Sequence, residues 1–147
     1  MGPYVIGLTG PCDNEQVYLA ALLVLHHGAC VINCLNLEPI IFDEGTKAYE
    51  SLVERFGSRR ICSPDKSLCR HKIGRLIATS KRHLKDLEAV LWPAMEDLIG
   101  QEIDKRWRKG HALIFLDAAS IPLNYFKKYC HELWFVMPKK TSALASR

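Results

Sequence analysis

The sequence predicts an α/β fold built on a parallel sheet. Three observations carry this. Residues 4–9, 112–116 and 133–137 are unalternating apolar runs of strand length, as expected of strands covered on both faces. The first run, a helix-length apolar stretch ending at Gly28 and a second short run at 29–32 make a β-α-β unit, which calls for a right-handed crossover between parallel strands. The runs are spread along the chain, and the long interval between the second and third reads as helical.

The first strand spans 4–9, between Pro3 and Gly10. Asp13 or Asn14 is placed to cap the helix that follows, whose buried face is expected to carry Val17, Ala21, Leu22 and Leu25. Further on, Tyr49, Leu52, Val53 and Phe56 form a helical stripe over 46–56, closed by Gly57. Residues 59–67 read as irregular, with a turn at Pro64-Asp65. Ile73, Leu76 and Ile77 mark a short helix over 71–78, and Leu84, Leu87 and Leu91 mark another. Pro93 is expected to break or kink that helix and to start a new one carrying Met95, Leu98, Ile99 and Ile103. This divides a single domain of 1–147 into a core of 1–36 and 110–147 and an insert of about 37–109.

The 147 residues, 48% hydrophobic and 24% charged, are enough for one domain with its own core and are not disordered in composition. No apolar run approaches the roughly 18 residues of a membrane span, and the start lacks a signal-peptide pattern. A net charge of +4 suits an anionic ligand without demanding nucleic acid. The run 105–109, KRWRK, reads as the cationic end of a helix stopped by Gly110, with Trp107 packed inward. The six cysteines form no C-x-x-C pair. Cys62 and Cys69, with His71, come nearest to a metal cluster, but no second ligand pair sits at finger spacing. Reduced thiols in a cytoplasmic protein, and no metal site, are expected.

In an open parallel sheet, ligands bind beyond the C-terminal ends of the strands. Those ends carry Gly10, Asn33 and Asp117. The turn from first strand to first helix is also where a phosphate-binding loop belongs, and Gly10 is in place for one.

Six segments, in order and at matching spacing, carry a resemblance: YVIGLTG at 4–10, GACVIN at 28–33, EGTKAYESLVERFG at 44–57, WP at 92–93, LDAAS at 116–120 and HELWFVMP at 131–138. Over about 4–138 the chain resembles the dephospho-coenzyme A kinases, and is most similar to the kinase domain of the animal bifunctional coenzyme A synthase. The resemblance implies a P-loop NTPase fold of the nucleoside-monophosphate-kinase type with a helical acceptor-side insert. It implies ATP with Mg2+ as cofactor, dephospho-coenzyme A or coenzyme A as partner, and phosphorylation of the 3′-hydroxyl. It also leaves mitochondrial association open beside the cytoplasm.

The same resemblance marks departures. The family's loop reads roughly G-G-I-G-S-G-K-S, with amides around the phosphates, a lysine on their charge and a hydroxyl on magnesium. Here it reads Gly10, Pro11, Cys12, Asp13, Asn14, Glu15, Gln16, Val17, so Glu, Gln and Val replace the final Gly, Lys and Ser. Pro11 has no N–H to offer. An anion at 15 facing a phosphate about 4 Å away is repelled by roughly 4 kcal/mol per charge pair at an effective dielectric near 20. A helix N-terminus returns only about 0.3–1 kcal/mol.

At the second strand end the family's acidic residue is replaced by Asn33, which cannot take a proton at neutral pH. Asp117 matches the family's acidic residue at the third, and Arg70 matches a basic residue of the acceptor-side motif. The family's chains run on into an arginine-bearing lid, so the resemblance implies a C-terminally truncated chain without the lid, with a dimer or protein partner over that end. The reading is a kinase-family pseudoenzyme, catalytically impaired. The alternatives are an active kinase using non-standard residues and a non-catalytic coenzyme A-binding or interaction module.

Overall fold

The computed structural model describes residues 1–11 and 14–137, with the backbone alone for 14–17. The chain falls into two compact units: residues 1–34 with 102–147, and residues 35–101.

The first unit holds a four-stranded parallel sheet of β1 (Tyr4–Thr9), β2 (Cys30–Asn33), β3 (Leu113–Asp117) and β4 (Glu132–Phe135), in the order β2-β3-β1-β4. The α/β parallel architecture is the one the sequence predicts. β1 and β3 are the central strands. Val5, Ile6, Leu8, Ile114, Phe115 and Leu116 are buried, which explains why neither strand alternates in hydropathy. Gly7 is required by packing. A Cβ there would lie 2.8 Å from the Cys130 Sγ, 2.9 Å from Leu133 Cδ2 and 3.3 Å from Phe126 Cε2.

Two expectations fail here. The apolar run near Leu133 predicts a central strand, but β4 is an edge strand pairing only with β1 among the described residues. Leu133, Trp134 and Phe135 are exposed, Phe135 to 65%. An apolar run cannot by itself tell burial by a neighbouring strand from an open sheet edge. The second failure concerns α1 (Asn14–His27), which turns a different face inward. Leu19 and Leu23 pack over Ile6, Leu8 and Phe115, whereas Ala21 is exposed and Leu25 is 78% exposed. From Leu19 to Leu25 every residue is apolar, so periodicity offers no preferred stripe. Docking on Ile6, Leu8 and Phe115 chooses it. The side chain of Val17 lies outside the described residues. β2 lies one residue later than the 29–32 expected.

The second unit is helical: α2 (Glu38–Ile41), α3 (Lys47–Phe56), α4 (Ser58–Ile61), α5 (Arg70–Thr79) and most of α6 (Lys81–Arg108). In α3 the Thr46 Oγ1 accepts the Tyr49 amide at 3.1 Å, and Gly57 closes the helix at φ 87°. The expected stripe forms the core: Leu52 and Phe56 are buried with Ile61, Cys62 and Leu87, and Tyr49, Val53, Ile73, Leu76 and Ile77 pack against them. Residues 59–67 are more ordered than expected, because α4 and a bridge between Cys62 and Leu68 brace the turn at 64–66.

Pro93 does not end a helix. α6 runs through it for 28 residues. Proline removes one intrahelical hydrogen bond. Continuity keeps Leu87, Met95, Ile99 and Ile103, all buried, on one helix. The helix ends on its cations, followed by Gly110, as expected, while Trp107 is half-buried. Arg106 and Lys105 each lie 3.6 Å from Glu102, and Gly110 follows at φ 97°. No helix of the described residues is long and apolar enough to cross a membrane.

Candidate functional site

The register of the sheet assembles the strand-end residues. Asn33 of β2 pairs with Asp117 of β3, and Asp117 also pairs with Leu8 of β1. Two residues beyond Leu8 comes Gly10, at φ 135°, a conformation that favours glycine. The ends of three adjacent strands therefore bring Gly10, Asn33 and Asp117 to one edge of the sheet in the first unit. Pro11 is exposed beside Gly10, and α1 begins at Asn14. Cys12 and Asp13 lie outside the described residues, as do the side chains of Asn14, Glu15, Gln16 and Val17.

Asp117 is a buried acid, 8% exposed. Burial raises its carboxyl above the ordinary range, and the Ala119 amide donating to it opposes the rise in part. No cation offsets its charge among the described residues. Beside it, Cys34 is pushed up to about 12, first by burial and then by the charges of Asp117 and Cys130, so it stays a thiol. The sequence pattern assigns Cys34 no role. Its position directly after Asn33, at a strand end, is the signal that could have found it. Asn33 and Asp117 also close the polar end of an open groove of about 410 Å3, whose apolar walls are Ala20, Ala21, Val24 and Leu25 of α1 and Val31 of β2. The apolar side chains that α1 turns away from the sheet find their place here.

Arg70 lies in the second unit, as the first residue of α5. Its guanidinium is 3.4 Å from Glu38 Oε1 and 6.0 Å from the centre of the Phe42 ring. It is exposed and half engaged, an arrangement open to an anion only in competition with Glu38. Cys62, Cys69 and His71 do not gather, and no cluster of three metal-ligating side chains occurs among the described residues.

The model of the dephospho-CoA kinase family matches residues 4–145. The chain belongs to the dephospho-CoA kinase family. It is 29% identical over 132 residues to the dephospho-CoA kinase of Symbiobacterium thermophilum, covering 90% of this chain and 54% of that one. To the enzyme of Oceanobacillus iheyensis it is 31% identical over 119 residues, covering 81% and 57%. The chain thus spans about half the length of these curated relatives. A solved Thermus thermophilus structure superposes with a TM-score of 0.67 at 27% identity, over 92% of this chain and 66% of that one. The fold is also shared with a dephospho-CoA kinase from Campylobacter jejuni, TM-score 0.68 at 17% identity, over 97% and 70%. The parallel sheet and its helices are those of a P-loop NTPase-like fold.

Proposed function

We propose that this chain is a dephospho-CoA kinase relative whose capacity for phosphoryl transfer from ATP to dephospho-coenzyme A is impaired. One observation carries the reading: Gln16 stands where the phosphate-binding lysine of the family's loop is expected, flanked by Glu15 and Val17. Losing one preorganised charge at a transition state costs on the order of 10²–10³ in rate. Here a cation and a metal-binding hydroxyl are both replaced, and Glu15 adds repulsion. At the strand ends the neutral Asn33 stands beside Asp117, so one carboxylate remains where acid-base work and magnesium would draw on two. With Val17 in place of a hydroxyl, Asp117 and an amide are too poor a donor set to hold magnesium without phosphate oxygens.

The test is coenzyme A formation from dephospho-coenzyme A and magnesium-ATP, followed by mass spectrometry on the purified chain. Product at the level of an Asp117→Asn control is the expected result. Product well above that control overturns the reading. The triple substitution Glu15→Gly, Gln16→Lys, Val17→Ser is expected to tighten ATP binding by at least about tenfold, some 1.4 kcal/mol. No gain would refute the account of a decayed loop.

A second reading, a working kinase with unusual chemistry, is favoured by one feature. Asp117 is buried with its carboxyl raised, which brings a carboxylate nearer to the range of a general base. Product that disappears with Asp117→Asn would select it.

A further inference from the structure

We infer that the helical unit carries an anion-binding pocket of its own, suited to a compact phosphate or diphosphate group. The pocket lies against α3, α4 and the bridged loop between Cys62 and Leu68, with a volume of about 570 Å3. Arg59, Lys66 and Lys72 line it, and no carboxylate does. Three like charges around one cavity repel one another, and a bound polyanion relieves all three at once.

The Lys72 side chain and the Lys66 backbone are held in position. The Lys72 ammonium donates to the Cys62 carbonyl at 2.6 Å and lies 3.5 Å from that of Arg59, which leaves a third N–H of the ammonium for a ligand. The Tyr49 hydroxyl donates to the Lys66 carbonyl at 2.6 Å and ties the loop to α3. Within the loop, the Ser63 amide donates to the Ser67 carbonyl and the Lys66 amide to that of Ser63, both at 2.9 Å. Lys66 itself sits at φ 71°, the single non-glycine residue with positive φ among the described residues. A glycine would take that conformation more easily, yet the position carries a cation.

Two acids lie near enough to act on the Tyr49 hydroxyl, Glu44 and Asp65, and neither lines the cavity. The Asp65 carboxylate is turned to its own loop, accepting from the Ser67 amide at 3.0 Å and hydroxyl at 2.6 Å. Neither Arg59 nor Lys66 has an ion-pair partner among the described residues. Val53, Pro64 and the Tyr49 ring supply apolar wall beside the charges, so the pocket takes a phosphate attached to a small organic body as readily as the bare ion.

The pocket is made of residues of the second unit alone, and the inference does not depend on the kinase reading. The test is a titration of the 15N-labelled chain with inorganic pyrophosphate at constant ionic strength near physiological, read by amide shifts. Saturable shifts confined to residues 49–53 and 58–72 are expected. Lys66→Gly and Arg59→Gln should each weaken binding about fivefold, the value of one charge at about 4 Å in water, and together about 25-fold. Lys66→Gly also relieves the positive φ, so a folding defect would not explain its loss of binding. Equal affinity in the double variant overturns the inference, as does the lack of saturation. Shifts confined to residues 10–18 would overturn it too, assigning the anion to the loop after β1.

Discussion

Gly7→Ala tests how tightly the centre of the sheet is packed. The added methyl would meet the Cys130 Sγ at 2.8 Å, Leu133 Cδ2 at 2.9 Å and Phe126 Cε2 at 3.3 Å. These neighbours differ in how far they can yield. Leu133 is on the exposed edge strand and the contacting atom ends a flexible side chain, so it can move. Phe126 is fully buried, and the Cys130 Sγ is 3.6 Å from the Phe126 carbonyl, so this pair resists. Overpacking of this kind costs about 1–3 kcal/mol, while the loss of glycine's freedom in the unfolded chain returns about 0.4–1 kcal/mol. The net expectation is a destabilisation of about 1–2 kcal/mol, read by urea unfolding, with a fall in Tm of roughly 3–8 °C. Adding Cys130→Ala should remove the firmest contact. The double variant is expected to be more stable than the sum of the singles by at least about 0.5 kcal/mol. A neutral Gly7→Ala, or strict additivity with Cys130→Ala, would refute the packing argument.

Other outcomes follow from the same physics. Asp117→Asn should raise stability at pH 7. A carboxyl raised by burial destabilises the folded state above its folded pKa, and this penalty fades as pH falls through that value toward the ordinary 3.8. Melting curves of the two proteins should therefore diverge near neutrality and converge in acid; a constant offset would mean that the charge is not responsible. Pro93→Ala restores a helix donor at an exposed position inside α6 and should stabilise by about 1–3 kcal/mol, with unchanged helical circular dichroism. A loss of stability would show that the proline is required by packing.

How much was legible depended on how local the cause was. β1 and β3 could be read because a central parallel strand needs consecutive apolar side chains, and Val5 to Leu8 and Ile114 to Leu116 supply them. α3 could be read because its cap, stripe and stop, Thr46, Leu52 with Phe56, and Gly57, are all within one segment. The meeting of Gly10, Asn33 and Asp117 was legible too, since parallel strands put their C-terminal ends on one edge. The face of α1 was not. Its residues are apolar all round, and only docking on Ile6, Leu8 and Phe115 selects Leu19 and Leu23.

By itself, then, the sequence determined a parallel α/β chain of the dephospho-CoA kinase family, the strand ends that carry Gly10, Asn33 and Asp117, and the residues Glu15, Gln16 and Val17 after the first strand. These are matters of residue identity and short-range pattern, where chain geometry leaves few choices. Tertiary structure alone decided that β4 is an edge, that α6 continues through Pro93, that Cys34 is buried beside Asp117, that Arg70 faces Glu38, and that Arg59, Lys66 and Lys72 share one cavity. The edge position of β4, the burial of Cys34 and the pairing of Arg70 rest on partners distant in sequence. Burial and electrostatic energies depend on which side chains meet in space, and no window along the chain contains that information.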